Sequence, residues 1–229
     1  GEADAIYGSM EKVTFDGVDR CHSVRLGAVW SDDPWLPAFQ WAYPNTSSFM
    51  FRRSAILEAN GWDESVRVCT DYDLYFRLLL RGARFRDAPR SMSLYRHWSV
   101  NQAVHADPMK RVLMRMRLMR QAGEALHASG RMSEERRLAF EESTLQCIRS
   151  PYQFNPSLAR AELPRLLRWN ERAPPSSPDF RTLYVLAFRI GGLDFAETIA
   201  AWWRGVRNIA VRRGDAPIDF DSRHGSCAS

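Results

Sequence analysis

From Asp71 to Arg81 the chain carries a helical pattern that is apolar on most sides. Leu74 and Leu78 fall along one side, Phe76 and Leu80 along another. A helix of that kind cannot lie with one face in water, so other elements must cover it nearly all round. Gly82 follows where a left-handed terminating residue belongs. Short strand-like segments lie on both sides of it in sequence: Ala5–Tyr7, Lys12–Phe15 and Ser47–Phe51 before, Arg84–Asp87 and Ser91–Tyr95 after, the last two parted at Pro89. A short helix is expected at Ser54–Asn60, with Ser54 as its N-cap and Asn60-Gly61 as its stop. Strands enclosing a buried helix belong to the α/β class, as part of a mixed sheet with flanking helices.

The stretch from Val18 to Pro44 reads as irregular, with Asp16-Gly17 as a turn before it. It holds Trp30, Trp35, Phe39, Trp41 and Tyr43, which must either pack under a loop or line a cleft. Character changes at Asp107-Pro108, a pair suited to cap and open a helix. Helices are expected at Met109–Ala128, from Ser133 to Ile148, at Ser157–Asn170 with Pro164 inside, at Phe180–Ile190 and at Asp194–Arg213. The expected division is therefore residues 1–106 as an α/β part and 107–229 as a mostly α-helical C-terminal extension. Along the first long helix Val112, Met116, Met119 and Leu126 mark an apolar side, as core filler.

Charge and cysteine content exclude several classes. The net charge is +5, and with only Lys12 and Lys110 as lysines the positive charge is almost all arginine. It is spread along the chain, and aromatics do not interleave with it on one element, so no nucleic-acid partner is expected. Cys21, Cys69, Cys147 and Cys227 are far apart, which fits neither a zinc site nor a disulfide framework. No run of about 18 apolar residues is present to span a bilayer.

The chemistry-bearing stretch runs from Pro44 to Gln102. It contains Arg52-Arg53-Ser54 followed by Gly61-Trp62-Asp63-Glu64, then Thr70-Asp71-Tyr72-Asp73-Leu74 with Arg77 and Gly82, then Tyr95-Arg96-His97. In order and spacing these resemble the "G-G-F-D-E", "E-D-x-D-L-x-x-R-x-x-x-x-G" and "Y-R-x-H" segments of family 2 glycosyltransferases. The match covers about the first hundred residues and is similar to the acceptor-side, C-terminal half of a GT-A-like catalytic domain. It implies an enzyme of glycan or cell-surface polysaccharide synthesis. Such an enzyme moves a sugar from a nucleotide-diphosphate donor to a glycan or lipid-linked acceptor hydroxyl, with inversion. It also implies a divalent metal, Mn²⁺ or Mg²⁺, and a cytoplasmic location. The family's nucleotide-binding strands have no counterpart before Gly1, so this stretch alone is expected to be inactive.

The resemblance carries over residue by residue. Asp71 matches the family's base; at a helix start it equally suits an N-cap. His97 is the metal-ligand candidate, although the family's histidine stands one place further on, where Trp98 is found here; a histidine holding a local hydrogen bond is the alternative. The Arg96 guanidinium suits a diphosphate or carboxylate, or a bridge to Asp63 or Glu64. Trp41 and Trp98 suit a sugar ring, Trp62 the core. Asn45 and Thr46 end a loop that is expected to shape the acceptor site. Asp73 reads as a first-turn helix acid, and Asp32-Asp33 as a solvated loop pair.

A different class of function rests on the last helix. Ile199, Trp202, Trp203, Val206 and Ile209 with Arg204, Arg207, Arg212 and Arg213 make residues 194–213 a basic amphipathic helix. Such a helix suits peripheral contact with the inner face of a membrane or packing on neighbouring helices. In that reading the chain is a non-catalytic interaction or membrane-surface module.

Overall fold

The structure, a computed structural model, describes residues 3–16, 20–26, 29–98, 108–166 and 182–212. Its centre is β1 (Ala5–Asp16). β2 (Arg20–Leu26) forms an antiparallel hairpin with the second half of β1, from Met10↔Leu26 to Asp16↔Arg20. β3 (Phe49–Phe51) pairs antiparallel with the first half, Ala5↔Phe51 to Tyr7↔Phe49. β4 (Phe85–Trp98) runs parallel to β1, from Ala5↔Phe85 to Phe15↔Trp98. The result is a mixed sheet of four strands. A parallel pair needs a long crossover, and the chain between β1 and β4 supplies it. That chain contains α1 (Trp35–Phe39), a 3-10 turn at Thr46–Ser48, α2 (Arg53–Glu58) and α3 (Thr70–Leu80).

Three expectations change. The two short strands read at Ala5–Tyr7 and Lys12–Phe15 are one continuous strand, as are the two read on either side of Pro89. At that proline the ladder steps from Gly8↔Ala88 to Ser9↔Ser91. Proline has no N–H to give, and the strand absorbs it as an irregularity rather than ending. Within the stretch read as irregular, Arg20–Leu26 is a strand. It is polar along much of its length, so pairing with β1, not propensity, makes it one.

α3 is covered as its pattern requires. Leu74, Tyr75, Phe76, Leu78 and Leu79 are all buried. Toward the sheet, Tyr75 meets Phe49 (ring centroids 4.5 Å apart) and Tyr43 (5.8 Å), and Tyr43 meets Tyr7 (4.9 Å). On another side, Phe76 meets Phe39 (5.9 Å), which meets Phe140 (5.5 Å). Phe140 belongs to α5 (Glu134–Phe154), which follows α4 (Pro108–Ala128) and precedes α6 (Pro156–Leu166).

The chain therefore does not divide at residue 106. One compact unit runs from Gly1 to Glu171, and a second from Arg172 to Ser229. α4 and α5 complete the cover of α3. Met116, Met119 and Leu126 are buried as expected. Arg131, between α4 and α5, donates to the carbonyls of Leu80 (2.8 Å) and Leu79 (3.1 Å), satisfying the last turn of α3. Arg136 grips Asp33 with two hydrogen bonds, 2.6 and 3.1 Å. Asp33 in turn accepts the Trp35 N–H (3.0 Å) at the start of α1. Asp33 is thus a structural tie rather than a solvated loop acid.

The second unit holds α7 (Thr182–Arg212), bent at Gly192 (φ 68°) into two helical segments, in line with the two helices expected there. Across the bend the buried Tyr184 hydroxyl donates to Glu197 Oε1 (2.8 Å). No helix among the described residues is long and apolar enough to cross a membrane.

Burial of tyrosines gives the first unit an alkaline limit. Burial, with a smaller contribution from Asp87, pushes Tyr7 up to about 12, and burial also raises Tyr43, Tyr72 and Tyr75. In the unfolded chain a tyrosine loses its proton near pH 10. Above that pH the unfolded state binds fewer protons than the folded one, so stability is full below pH 10 and falls as pH rises towards 12. Urea midpoints measured from pH 8 to 12 are expected to fall above pH 10, and Tyr7→Phe is expected to shallow that fall.

Candidate functional site

The loop from Val29 to Thr46 lies over the aromatic core, and its carbonyls are taken up by tyrosine hydroxyls. Tyr7 donates to Val29 O (3.0 Å) and Tyr43 to Pro34 O (2.8 Å). Tyr72 donates to Tyr43 O (3.1 Å) and Tyr75 to Pro44 O (3.1 Å). Irregular backbone covered in this way needs such partners. Ser48, fully buried, meets the Ser93 hydroxyl on β4 and holds the end of the 3-10 turn to the sheet.

These ties bring Thr46 to the start of α3. The Thr46 N–H donates to Asp71 Oδ2 (3.2 Å), and its hydroxyl to Asp71 Oδ1. Asp71 is not the N-cap of α3. That position is Cys69, in left-handed conformation (φ 58°) and without a side-chain cap bond. The Asp71 carboxylate thus reaches out of its own helix. It still lies in the first turn, where the helix dipole favours negative charge. Likewise Arg52, not Ser54, stands at the N-cap of α2.

Trp41 is the second left-handed residue here (φ 56°). Such a backbone costs a bulky residue about 1–3 kcal/mol and persists only where its surroundings impose it. Tyr72 stacks on its ring at 4.1 Å between centroids, and the Arg115 guanidinium lies over it at 4.3 Å. The indole N–H points to Met119 Sδ (3.3 Å). Tyr72 and Arg115 both pack on the Trp41 ring, which ties the loop to α3 and to α4.

The titratable neighbours stay protonated at neutral pH. Burial raises Tyr72 and Tyr75, and the nearby Asp71 carboxylate raises Tyr75 further. Burial also raises the Cys69 thiol against the pull of Arg115 and Arg111. They serve as hydrogen-bond donors, to Tyr43 O, Pro44 O and Arg111 O.

The other candidates are placed as follows. Asn45 adjoins the cluster, its Oδ1 accepting the Ser47 hydroxyl (2.7 Å). Arg96 is exposed on β4, and no pair with Asp63 or Glu64 occurs among the described residues. The side chains of His97 and Trp98 lie outside the described residues. Trp62 is not core: it is 45% exposed, with only an edge contact to Phe51. Asp73 is a first-turn acid as expected, paired to Arg77 at 2.7 Å, and Arg77 also donates to Ala59 O. Among the described residues no three His, Cys, Asp or Glu side chains converge as metal ligands. The residues that sequence reasoning passed over are Cys69, Tyr72 and Arg115. Arg111, Arg115 and Met119 share one face of α4 at i, i+4 spacing. That spacing was the available signal.

No family model matches the chain, and no curated protein or solved structure matches it either.

The Thr46–Asp71 bonds are open to measurement. In a double-mutant cycle of Thr46→Val and Asp71→Asn, urea unfolding is expected to give a coupling of about 1–3 kcal/mol, as for a hydrogen bond to a charged group.

Proposed function

We propose that this chain carries the acceptor-side part of a family 2, GT-A-like glycosyltransferase, with Asp71 as its base. The observation that supports this reading most is the placement of Asp71. Its carboxylate stands in the first turn of a buried helix, released from capping and oriented by Thr46. Its neighbours Tyr72, Tyr75 and Cys69 are held protonated.

In the proposed reaction an acceptor hydroxyl gives its proton to Asp71 while its oxygen bonds to the anomeric carbon of the donor sugar. The bond from that carbon to the diphosphate oxygen breaks, the nucleoside diphosphate leaves, and the configuration inverts. A base within hydrogen-bond reach of the hydroxyl is worth about 10²–10⁴ in rate. The Arg115 guanidinium, whose buried Nε has no partner among the described residues, adds positive charge to this cluster. That charge suits a departing diphosphate. The family resemblance carries a divalent metal with it. The described residues do not assemble its ligands, so no step here passes through it. Under this reading the enzyme works on the cytoplasmic side and supplies glycan or cell-surface polysaccharide synthesis.

A second reading has its own observation. Trp202 and Trp203 on α7 are 61% and 42% exposed, which suits peripheral membrane contact. Flotation with anionic liposomes tests it: both Trp→Ala changes together are expected to release the protein, and flotation unchanged by them leaves α7 without that role.

The catalytic reading is tested in the full-length polypeptide, by nucleotide release from a panel of nucleotide sugars with Mn²⁺ or Mg²⁺. Asp71→Asn is expected to lower turnover about a hundredfold or more with KM little changed. Turnover unaffected by the change would return Asp71 to a purely structural tie.

A further inference from the structure

A cavity of about 310 Å³ lies at the other end of α3, bordered by Leu79, Gly82 and Ala83. At about 1.5 Å per residue, the 11 residues of α3 set it roughly 15 Å from Asp71. Four arginines line it: Arg84 just before β4 and Arg86 within it, Arg131 between α4 and α5, and Arg136 in the first turn of α5. Two of these are fixed. Arg131 is held by the α3 carbonyls, and Arg136 by Asp33 and by Arg131 O (2.7 Å). Arg84 and Arg86 are exposed. Of the carboxylates, Asp32 lines the cavity, while Asp33 and Asp4 pair with Arg136 and Arg84. Even counting all three, positive charge is in excess.

The remaining wall is not what a bare anion needs. Trp30 is 40% exposed and borders the same space, beside Ser31 and Asp32. An indole face suits the apolar face of a pyranose, and hydroxyl and carboxylate groups suit its hydroxyls. Guanidinium forks suit phosphate or carboxylate oxygens. The volume is at the small end of ligand sites, about the size for one sugar unit.

We propose that this cavity is a binding site for a single anionic sugar, a pyranose bearing a phosphate or carboxylate. The anionic group lies at Arg84 and Arg86 and the ring lies against Trp30. The site is separate from the Asp71 cluster and does not depend on the catalytic reading.

Calorimetry on the intact chain with glucose 1-phosphate, glucuronic acid, glucose and inorganic phosphate tests it. The two acidic sugars are expected to bind and glucose to bind at least about tenfold more weakly, since hydrogen bonds to charged groups are the strong ones. Arg86→Ala is expected to weaken the acidic sugars about tenfold and Arg86→Lys to restore part of it. Trp30→Ala is expected to weaken the sugars and leave inorganic phosphate unchanged. Asp71→Asn is expected to leave all of these intact, so failure here and failure of the catalytic reading are separable. Thermal unfolding of each variant confirms that it is folded. The proposal is overturned if neither acidic sugar binds, if folded Arg86→Ala binds them as the parent does, or if phosphate binds as tightly as glucose 1-phosphate and Trp30→Ala changes nothing.

Discussion

Four tyrosine hydroxyls donating to one loop hold the first unit in its functional shape. Tyr7, Tyr43, Tyr72 and Tyr75 come from β1, from the loop itself and from α3, yet each ends on a carbonyl between Val29 and Pro44. Tyr7, Tyr43 and Tyr75 are buried and Tyr72 half-buried, each ring among other aromatics while its hydroxyl meets a backbone acceptor. That combination of apolar body and polar tip is what tyrosine offers and phenylalanine does not. The loop can therefore lie over the aromatic core with α1 as its one short α-helix. Its end at Thr46 is delivered to Asp71.

The same arrangement explains the strained backbone beside the site. Trp41 and Cys69 adopt left-handed conformations at the two places where the chain turns into the Asp71 cluster. Both are held from α4: Trp41 by Arg115 and Met119, and Cys69 through its Sγ, 3.8 Å from Arg111 O. α4 is thus no appendage of the α/β part. It supplies the contacts that keep two unfavourable residues in place. α5 adds the Arg136–Asp33 grip, and Arg131 the C-terminal satisfaction of α3. A helical region read as an extension is in fact the outer wall around the central helix.

How much was legible depended on how local the cause was. The buried α3, its Gly82 stop, the Asn60-Gly61 turn and the Ser133 cap are written in short-range patterns, and each stands where it was read. Asp71 was legible as a chemical candidate for the same reason. Arg20–Leu26 was not legible as a strand, because its partner β1 makes it one. Nor were the partners of Trp41: aromatic content in a loop says that rings must be packed, but not that this one meets Tyr72 and Arg115. Asp33 read as a loop acid because its partner Arg136 lies far along the chain.

By itself the sequence determined the class of the fold, the identity of its central helix and the acidic residue at that helix's start. These follow from side-chain periodicity and capping chemistry, which act over a few residues. Only the tertiary structure decided that Cys69 rather than Asp71 caps α3, that Thr46 meets the released carboxylate, and that α4 and α5 belong to the same unit as the sheet. It also decided that four arginines from distant segments meet Trp30 around one cavity. Those outcomes depend on packing between residues far apart in the chain, and packing is satisfied by shape and charge together, which no local pattern records.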